Sequence, residues 1–214
     1  MNLFEADEDK EQDNKIYPLA YRMRPTTLEG FMGHPEISGE NGFLKKAIES
    51  GAIPSIIFWG PPGSGKTTLA LITASCVNAD FNPLSAVTSG IKDVKNVIEK
   101  AKLNLKSGKK TILFIDEIHR FNKAQQDAFL PFVENGTIIL MGATTENPSF
   151  EVNPALLSRV KVINLKPLDK AALKNIIENA VNDAEKGLGG RNIEIEDAAY
   201  DLSLIHISEP TRPY

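Results

Sequence analysis

Short apolar runs alternate with helical patterns along most of the chain. The runs are bounded by turn residues and predict buried strands at 55–59, 84–88, 111–115, 137–142 and 160–165. Apolar residues at helical spacing predict helices at 66–78, 91–106, 123–134, 153–158 and 169–185. Strands that alternate with helices form βαβ units. The pattern therefore predicts an α/β fold in which helices flank a parallel sheet on both faces.

A glycine-rich segment follows the first predicted strand and opens a helix. Residues 60–67 read GPPGSGKT, which fits G-x-x-x-x-G-K-[ST] at every fixed position. In this context the backbone N–H groups and the helix N-terminus can surround phosphate oxygens. We predict a nucleoside triphosphate site formed by Gly60, Pro61, Pro62, Gly63, Ser64, Gly65, Lys66, Thr67 and Thr68. Within it, Lys66 is predicted to reach the β- and γ-phosphates, and the Thr67 hydroxyl to ligate Mg2+.

Two acidic residues stand where a second apolar strand ends. The segment ILFIDE places Asp116 and Glu117 directly after the buried run that ends at Ile115. Carboxylates in such a place are costly without a cation, and Mg2+ supplies one. We predict that Asp116 binds Mg2+ through water. Glu117 is predicted to polarise the attacking water as a general base.

Four segments carry a resemblance to a known family, the AAA+ ATPases. The residues of these segments most resemble the replication-associated recombination protein A family, whose members are relatives of the Werner-helicase-interacting protein and of clamp-loader subunits. The resemblance covers about residues 16–201. It rests on RMRPTTLEGFMGH (22–34), GPPGSGKTTLA (60–70), ILFIDEIHRFNKAQQDAFLPFVE (112–134) and GATTENPSFEVNPALLSR (142–159).

The resemblance implies roles for further residues. Thr144, with Thr145 as the alternative, corresponds to a polar sensor near the γ-phosphate, and Arg159 to an arginine finger for a neighbouring subunit. A surface arginine that caps a short helix is the other interpretation of Arg159. The segment 21–25 and the turn at Gly33 correspond to adenine-side motifs, and the family usually has glutamine at the position of His34.

Four regions are predicted along the chain. Residues 1–15 carry six acidic and two basic side chains and are predicted to be a disordered tail. Residues 16–166 form the ATP-binding α/β domain and 167–201 a partial helical lid. From Leu202 the string LSLIHISEPTRPY resembles a translated sequencing adapter, so 202–214 is interpreted as a non-native tail. We expect the family's sensor 2 arginine and tetramerisation region to lie beyond residue 201.

Charge and cysteine content change the picture only locally. The excess of acidic over basic side chains in the tail accounts for the whole net charge of −4, so the overall charge gives no support for nucleic-acid binding. Residues 91–110, however, contain seven lysines and two acids. Beside the apolar stripe of the predicted helix (Ile91, Val94, Ile98, Ala101 and Leu105) lie four of these lysines, Lys92, Lys95, Lys102 and Lys106. These lysines either contact DNA phosphates or form a solvated face. The only cysteine, Cys76, excludes an internal disulfide and is predicted to be buried.

Together these features predict a Mg2+-dependent, DNA-dependent ATPase acting in replication-fork maintenance, recombination and repair. The alternatives are a Holliday-junction branch-migration motor and a clamp-loader-type scaffold subunit. Expected partners are single-stranded or forked DNA, further copies of the full-length chain and replication proteins such as single-strand-binding protein, with no membrane. We expect a cytoplasmic location in a bacterium, and weak or no activity from residues 1–214 alone.

Overall fold

A computed structural model describes residues 17–191, 193 and 195. The predicted acidic tail (1–15), the predicted non-native tail (202–214) and the end of the predicted lid lie outside these residues. One compact unit spans Pro25–Pro167, and the described residues 17–24 and 168–191 belong to a second unit.

A fully parallel sheet of five strands forms the centre of the unit Pro25–Pro167. Its spatial order is β2-β3-β4-β1-β5. The predicted α/β fold with a parallel sheet and flanking helices is confirmed. The strands are β1 (Ile56–Trp59), β2 (Asp80–Ser85), β3 (Thr111–Asp116), β4 (Ile139–Thr144) and β5 (Lys161–Asn164).

Helices precede, connect and follow these strands. Ile118–Arg120 and Gly189–Arg191 form single 3-10 turns. In chain order the α-helices among the described residues are α1 (Leu19–Arg22), α2 (Pro35–Ser38), α3 (Phe43–Glu49), α4 (Lys66–Cys76), α5 (Ile91–Lys106), α6 (Lys123–Asp127), α7 (Leu130–Glu134), α8 (Pro148–Glu151), α9 (Pro154–Leu157) and α10 (Lys170–Asn182).

Alternation along the strands divides the core into two layers. Side chains of a strand point to opposite faces in turn. Ile56 and Phe58 of β1 therefore pack with α4 residues such as Leu69, while Ile57 packs with α5 residues such as Val94. β1, β3 and β4 each lie between two other strands, and residues of the two core clusters cover both of their faces.

Two predicted elements differ from the structure. β2 runs over Asp80–Ser85 instead of 84–88, and residues 86–88 form a turn. As an edge strand β2 tolerates Pro83, which lacks an N–H, and its polar residues gave no apolar run to detect. The predicted helix 123–134 is two helices, α6 and α7. Pro131 lies in the first turn of α7, where its missing N–H leaves no helical hydrogen bond unmade.

The predicted burial of Cys76 is wrong, and the apolar stripe of α5 is buried only in part. Cys76 is exposed at the end of α4. On α5 the buried stripe consists of Val94, Val97, Ile98 and Ala101, whereas Ile91 and Leu105 at its ends are 36% and 54% exposed. Periodicity identified the buried face, but burial is limited to the middle of the helix.

No helix in the described part of the chain is both long and apolar enough to cross a lipid bilayer.

Candidate functional site

The loop that joins β1 to α4 is fixed at both ends. Gly60 donates its N–H to the Thr144 carbonyl at 3.1 Å, and a Cβ on Gly60 would overlap the Leu165 carbonyl. At the other end Gly65 has a φ of 90°, and a Cβ there would lie 2.6 Å from the Phe31 ring. Glycine is thus required at both ends, by close packing at Gly60 and by both packing and backbone conformation at Gly65.

The loop leads into a helix start that presents free N–H groups. The first hydrogen bond of α4 runs from the Leu69 N–H to the Gly65 carbonyl at 2.9 Å. The N–H groups of Lys66, Thr67 and Thr68 therefore precede the hydrogen-bond ladder of the helix. Such a terminus carries partial positive charge and attracts phosphate oxygens.

Lys66 is the buried cation of this loop. Only 9% of the residue is exposed, and Nζ donates to the carbonyl oxygens of Gly60 and Pro61, both at 2.8 Å. Burial lowers the pKa of the Lys66 ammonium, and the carboxylates of Glu117 and Asp116 oppose that change. A phosphate close to Nζ would add negative charge and favour the ammonium form further.

The two predicted acidic residues lie at the end of β3, which β4 separates from β1 in the sheet. Asp116 is the last residue of β3, and its Oδ1 accepts the Glu117 N–H at 3.2 Å. Glu117 has a φ of 52° and a ψ of 49°, a left-handed conformation that is uncommon for a residue with a side chain. This conformation turns the chain from β3 into the 3-10 turn Ile118–Arg120.

Thr144 lies at the end of β4, beside the loop. It is fully buried and pairs with Trp59 of β1, the residue before Gly60. Its hydroxyl lies 2.9 Å from His119 Nδ1 and accepts the Glu146 N–H at 3.0 Å. Thr145, the alternative at this position, is partly buried and lies beyond the strand.

The predicted metal ligands form an open set of oxygen donors. The Thr67 hydroxyl belongs to the first turn of α4, Asp116 ends β3, and both residues are partly buried. No group of three or more His, Cys, Asp and Glu side chains forms a metal cage in the described ranges. The Thr67 hydroxyl and the Asp116 carboxylate are oxygen donors of the kind that bind Mg2+, which commonly takes one or two protein oxygens, several waters and substrate phosphates.

Arg159 is held within its own chain, one residue after the C-cap of α9. Its Nη1 donates to the Ala155 carbonyl and to Ser158 Oγ, both at 2.7 Å, and its Nε pairs with Glu134. The helix-capping contact considered for Arg159 is therefore present. The side chain remains 41% exposed, so it can also be reached by a second molecule.

The basic segment 91–110 is less uniform than its composition implies. Lys100 pairs with Asp80 at 3.0 Å, Lys110 donates to the Gly51 carbonyl, and Lys102 pairs with Glu99 and lies 5.4 Å from the Phe132 ring. Among the described residues, the exposed lysines of this segment with neither an ion pair nor a side-chain hydrogen bond are Lys92, Lys95, Lys106 and Lys109.

Two histidines carry contacts that the sequence did not reveal. His34 is 1% exposed, stacks against Phe31 with ring centroids 6.0 Å apart, and its Nε2 has no hydrogen-bond partner among the described residues. His119 lies on the 3-10 turn after Glu117, with Nδ1 3.2 Å from Glu117 Oε2. Its position two residues after an acidic pair was the only available signal.

Comparisons with known proteins place this chain in a family of ATPases. The model of the ATPase family associated with various cellular activities (AAA) matches residues 56–168. Replication-associated recombination protein A of Haemophilus influenzae is 54% identical over 94% of this chain and 45% of its own length. ATPase WRNIP1 of Dictyostelium discoideum is 52% identical over 88% of this chain and 22% of its own length. This chain thus spans less than half of these relatives.

A solved structure of the Thermotoga maritima RuvB Holliday junction branch migration motor is also similar. It superposes with a TM-score of 0.63 and 30% sequence identity. The superposition covers 84% of this chain and 58% of that one.

Replacing Lys66 tests the phosphate-binding loop. Lys66→Ala removes the buried ammonium, so the affinity for a fluorescent ATP analogue should fall at least tenfold, or about 1.4 kcal/mol. Titration of the 214-residue chain measures this change. Lys46→Ala, an exposed lysine of α3, is the control and should bind like the parent. Equal affinities of the two variants would contradict the assignment.

Proposed function

This chain belongs to the ATPase family associated with various cellular activities (AAA), and on that basis we propose that it binds ATP with Mg2+ at residues 60–68 and hydrolyses it with Glu117 as general base. Within the full-length protein, this activity would be the DNA-dependent ATPase of a factor in replication-fork maintenance, recombination and repair. We propose a cytoplasmic location.

One observation carries the proposal. The register of the parallel sheet brings the end of β1, which leads into the Lys66 loop, and the end of β3, which carries Asp116 and Glu117, to one edge of the sheet, although fifty residues separate these groups along the chain. A buried cation, two carboxylates and a helix N-terminus in one place form an arrangement suited to a polyphosphate and its metal ion. The intact Lys66, Asp116 and Glu117 oppose the alternative of a non-hydrolysing scaffold subunit.

The residues divide the work of hydrolysis. Lys66 and the N–H groups at the start of α4 would hold the phosphates, and Thr67 and Asp116 would hold Mg2+, directly and through water respectively. When bound, Mg2+ neutralises charge on the phosphate oxygens. Glu117 would accept a proton from the attacking water, and Thr144 would fix the position of that water relative to the γ-phosphate.

The proposed action on DNA is inferred from the relatives of this chain. The identity of 54% to a replication-associated recombination protein favours this reading. The RuvB likeness at 30% identity supports branch migration as the second candidate. Lys92, Lys95 and Lys106 offer unpaired positive charge to DNA phosphates. We also propose that the full-length chain forms homo-oligomers and works with replication proteins such as single-strand-binding protein.

Glu117→Gln should separate ATP binding from hydrolysis. The amide keeps the shape of the side chain but cannot accept a proton, so turnover should fall about 100-fold or more, while ATP affinity stays within about twofold. Phosphate release from the full-length protein measures turnover. Glu40→Gln, an exposed control, should leave the rate unchanged. A Glu117→Gln protein with the parental rate would exclude Glu117 as the base.

Arg159 should act on the site of a neighbouring subunit. Arg159→Ala should lower the turnover of the full-length protein about 10³-fold, because a guanidinium neutralises charge in the transition state. Mixing Arg159→Ala with Lys66→Ala subunits should restore activity, since an intact loop then meets an intact arginine. Glu134→Ala removes the ion pair of Arg159 but not the finger, so it should remain active. If mixing restores nothing and Glu134→Ala is equally inactive, Arg159 acts only within its own chain.

The unpaired lysines should govern DNA binding. Replacing Lys92, Lys95 and Lys106 with alanine should weaken binding of a single-stranded oligonucleotide by the full-length protein. The slope of log K against log salt should decrease in magnitude by about 2, at about 0.7 for each lost phosphate contact. Fluorescence anisotropy at several salt concentrations measures this slope. Lys100→Ala, whose ammonium pairs with Asp80, is the control, and equal slopes in all three proteins would contradict the proposal.

A further inference from the structure

His119 lies between two residues of the proposed hydrolysis site. Its Nδ1 is 2.9 Å from Thr144 Oγ1 and 3.2 Å from Glu117 Oε2. Glu117 follows β3 and Thr144 ends β4, so a single ring nitrogen bridges the ends of two adjacent strands. The His119 side chain is 11% exposed, which leaves little room for another orientation.

The hydrogen bonds of Thr144 indicate where the proton of the imidazole lies. A hydroxyl donates once and accepts twice. Thr144 Oγ1 donates to the Glu146 carbonyl at 3.3 Å and accepts the Glu146 N–H at 3.0 Å. With that donation Oγ1 can still accept one more hydrogen bond, so we assign His119 Nδ1, 2.9 Å away, as the donor. The nearby carboxylate agrees, because an ionised carboxylate accepts hydrogen bonds and would repel an unprotonated nitrogen.

Glu117 has few other contacts that would orient its side chain. Its Oε2 is buried and makes no aligned hydrogen bond among the described residues. The polar atom facing this oxygen is His119 Nδ1, 3.2 Å away. The backbone is fixed separately, since the Glu117 N–H bonds to Asp116 and the Glu117 carbonyl accepts the Arg120 N–H at 2.8 Å.

We propose that His119 is a positioning residue that couples the Glu117 carboxylate to Thr144, so that the base and the γ-phosphate sensor are aligned together. The inference rests on the proposed function of these two residues. Thr144 accepts the Nδ1–H of the ring, and the same polar edge of the ring faces Glu117 Oε2 at 3.2 Å. A change at Thr144 on phosphate binding would then be transmitted to Glu117 through one side chain.

The expected defect is one of turnover and not of binding. Misplacing a reacting group by about 1 Å can cost about 100-fold in rate. His119→Ala in the full-length protein should therefore lower kcat at least tenfold, while the Kd of a non-hydrolysable ATP analogue stays within about twofold. His119→Asn should recover most of the rate, because its amide places an N–H donor near the position of Nδ1.

Coupling through Thr144 has its own signature. If both residues act along one path, Thr144→Ala combined with His119→Ala should be no slower than the slower single variant, within about threefold. Independent roles would instead multiply the two losses. Lys123→Ala, an exposed residue four positions later, is the control and should retain the parental kcat.

The outcomes separate this inference from the proposed function. Glu117→Gln in the same assay shows whether Glu117 is the base at all. If Glu117→Gln is inactive but His119→Ala retains the parental kcat, only the positioning role of His119 is wrong. If His119→Ala and His119→Asn both lose ATP affinity and thermal stability together, His119 serves the fold and the inference is overturned. An active Glu117→Gln protein would overturn both.

Discussion

Parallel pairing of β1, β3 and β4 is the constraint on which the candidate site depends. The register aligns Trp59 with Thr144 and Ile115 with Gly142, so the carboxyl ends of the three strands meet at one edge of the sheet. The phosphate-binding loop, the acidic pair and Thr144 each follow or end one of these strands. A slip of one residue in any pair would turn core side chains to the other face and separate these groups.

The positions of the glycine-rich loop and of the acidic pair in the fold were predictable from local sequence. The loop at 60–67 and the acid pair 116–117 each follow an apolar strand, and both patterns are contiguous in the chain. The helix over 91–106 was also located correctly, because its apolar residues recur at a helical spacing. Local patterns predict local structure well when propensity and burial favour the same element.

Features that depend on tertiary position were not predictable in this way. β2 is an edge strand that starts with polar residues, so its bounds follow from pairing with β3 and not from apolar content. Cys76 is exposed because α4 ends there, a fact that its apolar neighbours conceal. His119 and Thr144 lie 25 residues apart and meet only because β3 and β4 are neighbours.

The left-handed backbone of Glu117 has a consequence for the evolution of this chain. A left-handed conformation costs a residue with a Cβ about 1–2 kcal/mol, and glycine is largely free of that cost. A glycine at this position would relieve the strain and remove the carboxylate at once. With Glu117 as the proposed general base, selection for stability and selection for catalysis act in opposite directions on this residue. A lineage that no longer needed hydrolysis would be expected to lose this glutamate early.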